Sequence, residues 1–258
     1  MATYTTEIAS DKLISDNPIH QRLLKAYIAA QPWISGKLLE VGCGEGRGVE
    51  ILLPHAEGYL GIDKIQEVID MLRAKFPKVE FQQAVIPPFH GIEDNSFDTV
   101  VSFQVIEHIE NDKLFLEEIY RVLKLGGKAI ISTPNINHTL SRNPWHVREY
   151  TPQQLIDLSK SIFDKVEAKG VGGTEKVWKY HQANRESVQK IMRFDIFDLQ
   201  HKLPASILRM PYEILNRMNR NKLHKQKSTN SVEITHEDYP IVEDPKEGLD
   251  LFYILHKK

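Results

Sequence analysis

Three glycines, Gly42, Gly44 and Gly46, stand at alternate positions directly after an apolar run, in LLEVGCGEGRG (Leu38 to Gly48). Glycine tolerates left-handed backbone and lets a ligand approach the main chain. A glycine turn fed by a buried strand and followed by a helix therefore suits a ligand at the strand end. The spacing narrows the choice of ligand. A dinucleotide fingerprint needs G-x-G-x-x-G, but position 47 is Arg, and the Gly-Lys-Ser/Thr ending of an ATP-binding loop is absent. Asp63 follows Gly42 by twenty-one residues and closes the apolar run YLGID, where a carboxylate can accept hydrogen bonds from both hydroxyls of a ribose. Glu107 and His108 follow FDTVVSFQ, and His138, His146, Arg148, Glu149 and Tyr150 follow KAIIST. A His, Glu or Tyr held in such places can take the proton of an acceptor hydroxyl.

These residues need strand ends to hold them, and the periodicity supplies those. Ile19 to Ala30 has the spacing of an amphipathic helix closed by Pro32, and Lys37 to Gly42 that of a buried strand. Strands are expected again at Tyr59 to Asp63, Val79 to Ala84, Phe97 to Gln104 and Lys128 to Thr133, with helices at Ile65 to Phe76 and Asp112 to Leu123. Strands alternating with helices imply right-handed crossovers and an α/β, doubly wound, largely parallel sheet. A helix starting at Thr151 and Pro152 and a strand over Phe163 to Val171 follow, and a strong strand returns only at Gly248 to His256. Between them, Val188, Ile191, Met192, Ile196 and Leu199 share one helical face, as do Ile207, Leu208, Pro211, Leu215 and Met218, with Pro204 and Pro211 expected to limit helix length. The expected organisation is a core over 1–174, a helical, basic lid over 175–246 that packs its apolar faces above the strand ends, and the last strand of the core sheet in 247–258.

Composition excludes several classes. With 41% hydrophobic and 26% charged residues, the 258-residue chain has the make-up of an ordinary globular protein. It has no apolar run of about 18 residues, and its first residues lack a signal-peptide layout, so a cytoplasmic protein is expected. The single cysteine, Cys43, rules out an intrachain disulfide and a multi-cysteine zinc site. Net charge is -2, yet Lys176 to Lys227 holds 12 Lys and Arg against 4 Asp and Glu, an excess of +8 that leaves -10 elsewhere.

Four ordered segments carry a resemblance: EVGCGEG (Glu40 to Gly46), GID ending at Asp63, NSFDTVVSFQVIEHI (Asn95 to Ile109) and LKLGGKAIISTPN (Leu123 to Asn135). Together they resemble the class I S-adenosylmethionine-dependent methyltransferases. The resemblance covers roughly Leu38 to Val171 plus the last strand. It implies a Rossmann-like seven-stranded sheet with its last strand antiparallel, and S-adenosyl-L-methionine as cofactor. Glu40, Gly42, Gly44 and Gly46 would hold the methionine end, Asp63 the ribose, and Gln104 would sit beside the sulfonium. Many relatives carry an acid after the third strand for the adenine amino group. This chain has Gln83, Ala84 and Val85 there, so a carbonyl near Ala84 or the Gln83 side chain would have to serve.

Methyl transfer is an in-line displacement, so holding the nucleophile near attack distance supplies much of the rate, and His108, His146 and Tyr150 are the candidates for proton removal. The Glu-His pair is similar to the E-x-x-E-H motif of small-RNA 2'-O-methyltransferases and ubiquinone-pathway O-methyltransferases, which implies a divalent metal in those groups. Gln104 replaces the first acid here, a poorer set for a hard cation, and no metal is expected. NPWHVREYTPQQL (Asn143 to Leu155) resembles a loop of methyltransferases near sugar or lipid biosynthesis; Trp145 and Tyr150 either line an acceptor pocket or pack beneath it. The basic segment is a solvated lid face, a site for an anionic small-molecule or lipid-linked acceptor, or a peripheral membrane contact. It lacks the interleaved aromatics of single-stranded RNA binders. The expected activity is O-methylation of a small or lipid-linked acceptor. The alternatives are RNA ribose 2'-O-methylation and a non-catalytic nucleoside-binding partner subunit.

Overall fold

The computed structural model describes residues 14–193, 202–225 and 231–258. The expectations for the first residues and for Ile196 and Leu199 lie outside them. Helix α1 is Asn17–Ala30, followed by β1 (Lys37–Val41), α2 (Arg47–Ile51), β2 (Gly58–Asp63), α3 (Gln66–Lys75) and β3 (Glu80–Gln83). Then come β4 (Phe97–Phe103), α4 (Asp112–Val122), β5 (Leu123–Pro134), α5 (Pro152–Lys160), β6 (Lys165–Val171), α6 (Glu175–Met192), α7 (Ala205–Lys225), β7 (Ile241–Val242) and β8 (Asp250–His256). The Asn111 side chain caps α4 by accepting from Leu114 N at 3.1 Å, and α5 starts in a Thr151/Gln154 capping box with Pro152 at its first turn.

The sheet has eight strands in the order β3-β2-β1-β4-β5-β8-β6-β7. β8 lies antiparallel between β5 and β6, as the resemblance implies. The eighth strand is the two-residue β7, which pairs with β6 from within the segment expected to be mostly helical. Alternation along β1 divides the core. Leu38 packs on the face covered by α1, α2, α3 and α6, and Leu39 on the face covered by α4 and α5. Each is fully buried and contributes about 1.5–3 kcal/mol.

The insertion shares the core of the sheet: Val177, Tyr180, Leu223, Ile234 and Tyr239 join the cluster that holds Leu38, Val101 and Ile254. Two expectations for its second helix are corrected. The apolar face of α7 does not cover the strand ends, since Ile207, Pro211, Leu215 and Met218 are exposed. The polar face turns inward because it has partners there. Asn219 donates to Asn184 Oδ1 at 2.7 Å, and Arg217 and Arg220 pair with Asp16 at 3.0 and 3.2 Å. Pro211 does not limit the helix but lies inside it.

Candidate functional site

Strand order reverses between β1 and β4, which opens a crevice beyond their C-terminal ends. The cleft there measures about 1710 Å³, above the roughly 300–1,000 Å³ usual for one ligand. At one end lie Gly42, Gly44, Gly46 and Asp63, in the middle Gln104, and at the far end His108, His146 and Glu149. Helices α6 and α7 wall the acceptor side with Tyr180, His181, Asn184, Tyr212 and Asn216. Burial pushes His181 down to about 4, and its ring meets the His138 carbonyl at 3.1 Å.

All three turn glycines have positive φ, at 78°, 49° and 83°. A β-carbon on Gly42 would overlap Val105, and one on Gly46 would overlap Leu72. Asp63 ties the turn to β2: Oδ2 accepts from Gly44 N and Oδ1 from Ile65 N, both at 3.0 Å. Each carboxylate oxygen accepts in two directions, so both keep capacity for ribose hydroxyls. Gln104 directly follows β4 with φ 57°, an unusual value for a non-glycine residue, and lines the cleft. A nucleoside bearing an amino-acid tail fits this cradle.

One expected cofactor contact is corrected. Glu40 lies beneath the turn, 1% exposed and outside the cleft wall. Its Oε1 accepts from Tyr27 Oη at 2.8 Å and its Oε2 from Tyr59. Burial lifts it to about 7, against the pull of both phenols and Arg47. It supports the glycine turn from below, and the turn's backbone is left to meet the ligand. Ala84 is buried too and gives its N–H to the Asp63 carbonyl at 2.9 Å, a bond that does not engage its own carbonyl, the group expected to meet the adenine. Val85, Ile86 and Pro87 form the wall there, an apolar platform, while the Gln83 side chain donates to the Lys64 carbonyl.

The proton-accepting candidates separate. Tyr150 is buried in the core, and its hydroxyl donates to Asp112 Oδ2 at 2.8 Å. Burial and that carboxylate push it well above the ordinary tyrosine value, so it is corrected to a packing residue. Trp145 packs as well, with the Arg209 guanidinium 4.0 Å from its ring centroid, which ties this loop to α7. His108 and His146 meet edge to face, ring centroids 4.9 Å apart. His108 Nδ1 lies 2.9 Å from the Trp145 carbonyl, which makes Nε2 its basic nitrogen.

His146 has a fuller set of partners. Nδ1 lies 2.6 Å from Glu149 Oε1 and Nε2 lies 2.8 Å from Asn143 Nδ2. The Trp145 N–H holds the Asn143 oxygen at 3.1 Å, so the amide must present its NH₂ to His146. The imidazole is thereby held as the Nδ1–H tautomer, with Nε2 as its basic atom. Asn143 and Glu149, three residues to either side of His146, hold its two nitrogens; Glu149 stood among the loop candidates, whereas Asn143 was missed. Their spacing in N-x-x-H-x-x-E was the available signal.

Glu107, His108 and His146 also place possible ligand atoms within 4.8 Å of one another, where no metal was expected. One carboxylate and two imidazoles suit a borderline cation better than magnesium. Those groups are engaged: Glu107 Oε2 accepts from Thr133 at 2.9 Å, and both His146 nitrogens have protein partners. Burial lifts Glu107 to about 7, with His146 pulling the other way.

Comparison with known proteins agrees with this cradle. Residues 39–131 match the methyltransferase domain family. A Mycolicibacterium smegmatis protein named "Probable S-adenosylmethionine-dependent methyltransferase" is 36% identical over 135 residues, 50% of this chain and 52% of that protein. The ubiquinone biosynthesis O-methyltransferase of Pelagibacter ubique is 26% identical over 209 residues, 69% of this chain and 85% of that protein. This chain spans about half the length of the mycobacterial relatives it matches. A SAM-dependent methyltransferase from Thermotoga maritima shares the fold at TM-score 0.59 and 16% identity, over 94% of this chain and 92% of that one. With the glycine turn, Asp63 and the antiparallel β8 in place, residues 39–131 resemble the methyltransferase domain of S-adenosylmethionine-dependent methyltransferases, and the chain shares their fold.

Proposed function

We propose that this protein transfers the methyl group of S-adenosylmethionine to an oxygen atom of a small or lipid-linked acceptor. The supporting observation is a single cleft that runs from the glycine turn and Asp63, past Gln104, to His146 and Glu149. When bound, the cofactor supplies an electrophilic methyl group on a sulfonium. The protein's part is to orient and to move a proton. Gly44 and Asp63 fix one end of the cradle, and Gln104 stands where the transferred group would face the acceptor. His146 Nε2 takes the acceptor's proton once the hydroxyl displaces Asn143, and Glu149 offsets the charge that forms on the ring. His146 is preferred to His108 because a carboxylate holds its other nitrogen, whereas a neutral carbonyl holds that of His108. A non-catalytic nucleoside-binding subunit would have no use for this aligned pair.

Calorimetric titration with S-adenosylmethionine tests the cradle, and Asp63→Ala should weaken binding by about 1.5–3 kcal/mol, the cost of lost hydrogen bonds to a charged group. Release of S-adenosylhomocysteine with catechol, phenolic and polyprenyl-phenol acceptors tests the chemistry. His146→Asn should lower turnover about 10²- to 10⁴-fold at unchanged cofactor affinity. Chelator treatment should leave turnover within about twofold, because Glu107 and His146 are already committed to protein partners. A loss restored by manganese or zinc would instead make Glu107, His108 and His146 ligands. Binding without turnover on any acceptor, or turnover on RNA alone, would sink the proposal.

A further inference from the structure

The outer face of α7 is apolar and uncovered. Ile207, Met210, Ile214 and Met218 are 57%, 71%, 54% and 63% exposed, and their spacing of three, four and four residues places them on one stripe. Leu215, 43% exposed, and Pro211 widen it. The stripe runs for roughly 16 Å at 1.5 Å per residue. Contiguous exposed apolar surface of this kind marks a contact site rather than the scattered exposure normal for a soluble protein.

Charge selects the occupant. The sequence of α7 contains Arg209, Arg217, Arg220, Lys222 and Lys225 against Glu213 alone. Glu213 lines the cleft, on the far side from the stripe. Arg217 and Arg220 are paired with Asp16 and Arg209 lies over the Trp145 ring, while Lys222, four residues on from Met218, is an exposed cation beside the stripe. A second copy docked through the same face would set one basic segment against another, which repels. An anionic surface with an apolar interior satisfies both halves of the pattern. Among the described residues no helix is long and apolar enough to cross a membrane, so α7 would lie in the interface plane.

We propose that the outer face of α7 docks on an anionic phospholipid bilayer, with Ile207, Met210, Ile214 and Met218 entering the headgroup boundary and Lys222 meeting lipid phosphates. This goes beyond the methyl-transfer reading and does not rest on it. Its consequence for that reading is geometric. The inner face of the same helix, at Tyr212, Asn216 and Asn219, walls the acceptor side of the cleft. Docking would therefore bring the cleft to the membrane surface.

Co-sedimentation of the full chain with extruded vesicles tests the proposal, using phosphatidylcholine alone and an equal mixture of phosphatidylcholine and phosphatidylglycerol. The wild type should bind the mixed vesicles at least about tenfold more tightly than the neutral ones, with loss as salt rises. The double variant Ile214→Glu, Met218→Glu should reduce that binding about tenfold or more, since both apolar entry and charge attraction are opposed. Lys222→Glu should reduce it mainly at low salt. Both substituted faces are solvent-exposed, so melting temperature and S-adenosylmethionine affinity should match the wild type and show that the fold survives. Equal binding to both vesicle types, no binding to either, or a double variant that binds like the wild type would overturn docking. So would a double variant whose only change is from dimer to monomer in sedimentation velocity, which would assign the stripe to a second copy.

Discussion

Glu40 shows how one residue type can point to the right place and the wrong contact. A carboxylate beside a glycine turn is read as a ligand for the cofactor's amino group, but here two phenols and the turn itself enclose it. A β-carbon on Gly48 would overlap its carboxylate. The enclosure has a pH consequence. Burial raises the folded value from 4.5 to about 7, so the folded state holds the proton more tightly than the unfolded state. The stability this confers is fully present below pH 4.5 and is lost as pH rises through about 7. Glu107, raised to the same value by burial, acts in the same direction. His181, lowered to about 4 by burial, acts the other way over the same range, so the test is the difference between two proteins: in denaturant titrations from pH 4.5 to 7.5, Glu40→Gln should lose less stability with rising pH than the wild type, by about 3 kcal/mol at most. Parallel slopes in wild type and variant would mean that the Glu40 carboxyl is solvated.

At the scale of elements, the turn after β1 divides its glycines between two duties. Gly42, Gly46 and Gly48 face protein atoms that a side chain would strike: Val105, Leu72 and Glu40. Gly44 gives its N–H to Asp63 in a left-handed conformation with φ 49°. Gly44→Val would add a branched side chain to the floor of the cradle and a backbone strain of roughly 1–2 kcal/mol. S-adenosylmethionine binding should be lost while the protein still melts cooperatively. Gly48→Ala should instead cost about 1–3 kcal/mol of stability by displacing Glu40. Global unfolding of Gly44→Val would place Gly44 with the structural glycines. Helix α7 carries a related lesson: the apolar spacing from Ile207 to Met218 predicts a helical face there, but neither its run through Pro211 nor which side faces out.

At the scale of the whole molecule, the basic segment is part of the core rather than a cover laid over it. Val177, Tyr180, Leu223, Ile234 and Tyr239 share a cluster with the sheet, and burying each contributes about 1.5–3 kcal/mol. Their sum is comparable with the roughly 5–15 kcal/mol that holds a domain folded. The α1 side chain Asn17 also donates to the carbonyls of Ser231 and Ile234 at 2.9 and 2.8 Å. Deleting 175–246 should therefore abolish cooperative folding. In the intact chain, far-ultraviolet dichroism and the fluorescence of Trp33, Trp145 and Trp178 should report one coincident thermal transition. A deleted chain that melts cooperatively and binds S-adenosylmethionine would make the segment a separable lid.

The elements flanking the cradle were legible in the sequence because their signals are local. The alternation of strand and helix from Lys37 to Thr133, the positive-φ turn at Gly42, Gly44 and Gly46, and the carboxylate at Asp63 each follow from a few neighbouring residues. Tertiary structure alone decided what depends on distant partners. Tyr150 became a packing residue because Asp112, thirty-eight positions away, accepts its hydroxyl. Glu40 withdrew from the cleft because Tyr27 and Tyr59 converge on it from α1 and β2. His146 was set beside His108 by a loop that Glu107's carbonyl anchors through Val147 N at 2.8 Å. The apolar face of α7 turned outward because its polar face found Asp16, Asn184 and a polar cleft to line. A helical pattern specifies two faces, and only the partners available on each side choose between them.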